Sequence, residues 1–213
     1  MVTALASHGL PLAVVGGAVD ESSGLLDEVG HAGLDVNAPV RVALNVTPFL
    51  SDTSLADRLS EMVRDRGQVP QRFVCQLDDR ALARAPAGAF AVLTRLRVKG
   101  FGLSMTYSGL GPPWTSYLAR TPLTELKLGR LLVGSATAEP KRFEVVETAV
   151  NEARDMALPV VADGCDSEAD FDMLLALGCS EAQGACVGAP MPAADVVAWA
   201  VAGYRPGTHG VPR

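Results

Sequence analysis

Leu158-Pro159-Val160-Val161-Ala162-Asp163-Gly164-Cys165-Asp166-Ser167 joins an apolar, β-branched run to a polar turn and then to a serine placed to cap a helix. An acidic first turn follows Ser167, apolar residues recur at helical spacing, and Gly178 stands where such a helix would stop. The same unit recurs along the chain. Further apolar runs lie at 12–15, 40–46, 73–77, 102–106, 125–128 and 182–187, and helical spacing at 54–66, 83–98, 143–156 and 193–201. Pro140 is placed to open a helix in its first turn.

Strand and helix therefore alternate about seven times. The strands read as nearly continuous apolar runs, which implies a sheet covered on both faces, as parallel sheets are. No GxGxxG or P-loop pattern marks an open nucleotide-binding sheet. The expected fold is α/β, a (β/α)8-like TIM-type barrel that is incomplete or modified at its amino terminus. It is expected to fill residues 1–203 as one domain, with 204–213, which holds two prolines and two glycines, as a loose tail.

Composition narrows the function. Of 213 residues 48% are hydrophobic and 20% charged, which places the chain among folded proteins rather than disordered ones. Acidic residues outnumber basic ones by 24 to 18, so the basic excess of a general nucleic-acid binder is missing. The apolar runs are too short for a membrane span and no cationic segment opens a secretory signal, so the reading is cytoplasmic. Without that signal, Asn45-Val46-Thr47 carries no meaning as a glycosylation acceptor. Cys75, Cys165, Cys179 and Cys186 lack CxxC spacing, and His8, His31 and His209 share no helical spacing. Neither a zinc site nor a Ser-His-Asp triad is expected, and no cofactor is assigned.

In parallel barrels the chemistry sits at the carboxyl ends of the strands. The residues there are Asn45, Gln76 with Asp78 and Asp79, Thr106 with Tyr107, Lys127, Asp163 with Asp166, and Gln183. Converging on one mouth, they would form a polar pocket that is poor in metal ligands. Asp78, Asp79 and Asp166 read as solvated or capping residues. Lys127 lies between Leu126 and Leu128, so it either snorkels from an edge or points into the mouth, paired with Asp163. Gln183 serves either a core hydrogen bond or a ligand.

The carboxyl half resembles the EAL-type cyclic di-GMP phosphodiesterases of bacterial signalling. The 158–167 stretch and Leu177-Gly178-Cys179-Ser180-Glu181-Ala182-Gln183-Gly184 are similar to that family's "VVAEGVET" and "LGCDxxQGY", and Pro190-Met191-Pro192 follows. Upstream, 116–130 resembles "SYLRRLPVDxLKIDR", and Leu44-Asn45-Val46-Thr47-Pro48 resembles "VNLSP". The similarity spans about residues 30–200 in the family's order and implies its barrel.

The resemblance also implies a catalytic apparatus of metal-bound carboxylates, a water and a lysine, against which this sequence is depleted. Asn45 falls on the family's ligand asparagine and Lys127 on its lysine. Gln76 and Asp79 fall on the two glutamates of "LEITE", Thr106 and Tyr107 on the paired aspartates of "DDFGTGYS", Gly129 on the aspartate of "KIDR", and Asp163 on the glutamate of "VAEG". The Glu-Ala-Leu signature, with its nearby phosphate-binding arginine, has no counterpart. These positions, with Gln183, are expected to be vestigial, with no catalytic residue, no bound metal and no enzymatic turnover. The implied role is a degenerate phosphodiesterase acting through a signalling partner or as a homodimer. A non-hydrolysing cyclic di-GMP receptor ranks second and an active phosphodiesterase third. Related barrels pair near the helix after Leu118 and the loop 108–113, where Trp114-Thr115-Ser116-Tyr117 either offers aromatic anchors or gives Trp114 to the core.

Overall fold

A computed structural model describes residues 2–4, 12–33, 40–111, 113–134 and 136–202. Seven parallel strands form one sheet in the order β1 to β7: Val2–Ala4, Val42–Asn45, Phe73–Asp78, Gly102–Tyr107, Glu125–Leu128, Val160–Asp163 and Glu181–Gln183. Between and after them run α1 (Leu12–His31), α2 (Leu55–Arg64), α3 (Asp79–Ala83), α4 (Ala89–Val98), α5 (Arg130–Val133), α6 (Pro140–Asp155), α7 (Glu168–Leu177) and α8 (Ala193–Val201). The sheet is curled. Arg41, one residue ahead of β2, reaches Glu125 on β5 and Glu181 on β7, and α1 packs against α8.

The α7 unit follows from its sequence in detail. Ser167 accepts from the Asp170 amide while the Asp170 carboxylate accepts from Ser167, a reciprocal capping box. Gly178 ends the helix at φ 87°, a left-handed conformation that a side chain would strain. Pro140 opens α6 as expected.

Three element readings change. Residues 12–15 are the start of α1 rather than a strand, and the first strand is Val2–Ala4. The helical signal is the burial of Val15, Val19, Leu26 and Val29, one stripe that the short apolar run at 12–15 hides. The helix expected over 83–98 is interrupted by Pro86, leaving α3 and α4 on either side. The last strand stops at Gln183, and 184–187 is a turn. The tail 204–213 lies outside the described residues.

The strands are also not uniformly apolar. Register places Asn45, Gln76, Ser104, Lys127, Asp163 and Gln183 on the inner face. Leu44, Cys75, Leu77, Leu103, Met105, Leu126, Leu128 and Ala162 belong instead to the hydrophobic core between sheet and helices. Each fully buried Leu or Met there contributes about 1.5–3 kcal/mol, so the stabilising layer is the outer one. Ala43, Val74 and Val161 are buried yet lie outside that core, on the inner face. Glu125-Leu126-Lys127-Leu128 shows why: it alternates inner charge with outer leucine. Among the described residues no helix is long and apolar enough to cross a membrane.

Candidate functional site

At the carboxyl ends of the strands, Lys127 is the central cation. Its Nζ lies 3.2 Å from Asp163 Oδ2 on the adjacent strand and donates to Gln183 Oε1 at 3.2 Å on the strand beyond. The Lys127 side chain is only 4% exposed, so the inward, paired alternative holds and snorkelling does not. The other oxygen of Asp163 faces Arg130 at 3.7 Å. Arg130 pairs at 2.5 Å with Asp166, which also accepts from the Ala185 amide. Both oxygens of Asp163 are thereby turned toward cations.

Asn45, Asp78 and Asp79 are also committed to local structure. Asn45 Oδ1 accepts from the Thr47 amide at 3.0 Å, and Thr47 Oγ1 accepts from the Asp78 amide. Asp78 caps α3 by accepting from Arg80 and Ala81, as expected of it. Asp79 departs from expectation. It is buried rather than solvated, and its Oδ2 accepts from the Ser108 amide and hydroxyl, fastening the loop after β4. Gln76 is buried on the inner face, and Thr106 is the inner neighbour of Lys127. Gly129 offers no ligand. Its amide donates to Tyr107 O, and a Cβ at 129 would sit 3.2 Å from that same oxygen.

Tyr107 does not belong to the mouth. Its register partner is Leu128 on the outer face, and its ring lines a groove of about 330 Å³ with Pro113, Trp114, Glu144, Val145 and Glu152. Burial, then the Asp79 and Glu152 charges, push its phenol up. Thr106 is the register partner of Lys127 and shares its inward face; Tyr107, the next residue along the same strand, points outward with Leu128. Trp114 and Tyr117 are likewise buried in the core, so the core alternative for Trp114 holds and the run is not a set of surface anchors.

Among the described residues four carboxylates thus surround the mouth without converging: Asp78 on a helix cap, Asp79 on Ser108, Asp163 on two cations and Asp166 on Arg130. Among the described residues no group of three or more His, Cys, Asp or Glu could hold a metal ion. The donor set does not fit the metal pair that the family resemblance implies. A hydrolytic metal pair draws on carboxylates free to coordinate it, and those of this mouth are engaged by amides, a hydroxyl and cations.

Sequence reading missed a second charge cluster at the opposite end of the strands. Arg41 donates to Glu125 at 2.8 Å and to Glu181 at 2.6 Å. Burial works against its charge, and the two carboxylates outweigh burial and raise its pKa. Glu125 is 0% exposed. The available signal was the Glu-Leu-Lys-Leu alternation, which puts Glu125 on the same face as Lys127.

Gly184 sets the wall between β6 and β7. A Cβ there would stand 2.2 Å from the carbonyl oxygen of Cys165, inside the backbone rather than against a movable side chain. Gly184→Ala is expected to destabilise the fold by about 1–3 kcal/mol through forced backbone displacement. Urea titration measures this, and an unchanged midpoint would show that the two turns separate freely.

A curled parallel sheet with a paired lysine at its mouth and helices around it defines a TIM-type barrel domain. The EAL domain family model matches residues 25–190, and the chain belongs to that family. Cyclic di-GMP phosphodiesterase RocR of Pseudomonas aeruginosa is 31% identical over 155 residues, covering 72% of this chain and 40% of that protein. The bifunctional diguanylate cyclase/cyclic di-GMP phosphodiesterase MucR of the same organism is 26% identical over 191 residues, covering 84% of this chain and 28% of MucR. This chain therefore spans less than half of either relative. The solved EAL domain of Mycobacterium smegmatis DcpA superposes with a TM-score of 0.81 at 21% identity, over 96% of this chain and 89% of that one. The MucR phosphodiesterase in complex with cyclic di-GMP gives 0.69 at 26% identity, over 87% and 77%.

Proposed function

We propose that this chain is a catalytically inactive EAL domain that acts through protein contacts in cyclic di-GMP-linked regulation. The observation that carries this reading is the state of Asp163, whose two oxygens face Lys127 and Arg130. Gln76, Thr106 and Gly129 stand nearby in place of acidic ligands. A lysine locked to a carboxylate and an amide is poorly placed to assist a water. Its charge is already balanced, which also weakens attraction for a ligand phosphate.

Support for protein contact comes from the rim. Leu110, in the loop fastened by Asp79, is 75% exposed, and Leu131 on α5 is 74% exposed. These leucines replace the buried Trp114 and Tyr117 as anchors on the face that related barrels use for pairing. Leu110→Glu with Leu131→Glu is expected to reduce self-association in light scattering without changing the unfolding midpoint. A wild-type mass equal to one chain at all concentrations would leave this face without a homodimer role.

Calorimetric titration with cyclic di-GMP separates the readings. No heat of binding is expected. Saturable heat with no product would favour the non-hydrolysing receptor instead.

A further inference from the structure

Two cysteines from the turns after adjacent strands meet beside the mouth. Cys165 follows β6 and is fully buried, whereas Cys186 follows β7 and is half-buried. The Cys186 amide donates to the Cys165 carbonyl at 3.1 Å, which sets the two residues side by side across the turns. The close approach of Gly184 to the Cys165 backbone holds the two turns in this register. Among the described residues neither Cys75 nor Cys179 has a thiol neighbour of this kind, so the pair is set apart.

We infer that Cys165 and Cys186 form a peroxide-sensitive dithiol that closes to an intramolecular disulfide across the wall of the mouth. The more accessible Cys186 reacts first. Its thiolate sulfur attacks one oxygen of a hydroperoxide, the O–O bond breaks, and the sulfur becomes a sulfenic acid while the other oxygen leaves as water or an alcohol. Cys165 sulfur then attacks Cys186 sulfur. The S–O bond breaks, and the departing hydroxide takes the Cys165 proton as water. Two thiols supply two electrons, and the peroxide accepts them. Burial, then the neighbouring Cys186 and Asp170, push the Cys165 thiol up to about 12, so it is not the first of the two to react. The bridge would tie together the turns that flank Asp163, Asp166 and Gln183.

The test treats the full chain with hydrogen peroxide, alkylates remaining thiols under denaturing conditions and maps the peptides. The expected result is an intact mass lower by two hydrogens, a peptide linked through Cys165 and Cys186, and alkylated Cys75 and Cys179. Cys186→Ser is expected to abolish the link. Cys165→Ala is expected to leave a sulfenic acid on Cys186 that dimedone traps; if that variant does not fold, the Cys186→Ser comparison decides. Four alkylated thiols after treatment, Cys186 oxidised to sulfinic acid beside an alkylated Cys165, or a link between chains would each overturn the inference.

Discussion

Asp163→Asn is expected to destabilise the fold by about 3–5 kcal/mol, the cost of leaving a buried charge without its counter-ion. Lys127 is the stranded group, held in the barrel interior with only Gln183 as partner among the described residues. The reverse deletion should cost far less. Asp163 is 22% exposed and still faces Arg130, so Lys127→Met is expected to cost about 1 kcal/mol, in the range of exposed pairs. The double variant should resemble Lys127→Met alone, because the methionine removes the very charge that the Asp163→Asn change would strand. Unfolding free energies of the four proteins give the coupling directly, expected at about 2 kcal/mol or more. Equal, additive costs for the two single changes would show that Lys127 and Asp163 do not depend on each other.

Arg41→Met should be as damaging, for the opposite sign of charge. Among the described residues it removes the only cation paired with Glu125, which has no solvent exposure and whose Oε1 already lacks a hydrogen-bond partner. An unpaired buried carboxylate costs about 3–5 kcal/mol, or takes up a proton to avoid that cost. Combining Arg41→Met with Glu125→Gln should recover most of the loss. Glu181→Gln alone should cost little, since that side chain is one-third exposed. Chemical denaturation at neutral pH measures all three. A cost below about 1 kcal/mol for Arg41→Met would place Glu125 in contact with water rather than in a closed interior.

Where sequence reading succeeded, local chemistry was decisive. Ser167, Asp170 and Gly178 specify one helix by capping and by a left-handed terminus, and they do so without long-range contacts. The Lys127 to Asp163 pair was legible because a lysine between two leucines has few other ways to be satisfied. Failures came where phase or distance decided. Residues 12–15 are as apolar as a strand, and only the stripe continuing to Val29 marks the helix. Adjacency in sequence groups Tyr107 with Thr106, although neighbouring strand residues point to opposite faces. Asp79 looked like a surface residue because its partner, Ser108, is 29 positions away. Arg41, Glu125 and Glu181 meet only once the sheet curls, and no single segment records that encounter.

On the proposed reading, this barrel mouth lacks the donors for metal-dependent phosphodiester cleavage. The most direct test of that reading is incubation of the full chain with cyclic di-GMP in the presence of Mg²⁺ or Mn²⁺, with the linear dinucleotide followed by chromatography. No product above the protein-free reaction is expected with either ion. Metal-dependent formation of linear dinucleotide by the wild-type chain, lost in Lys127→Ala, would contradict the assignment and return the domain to the active phosphodiesterases.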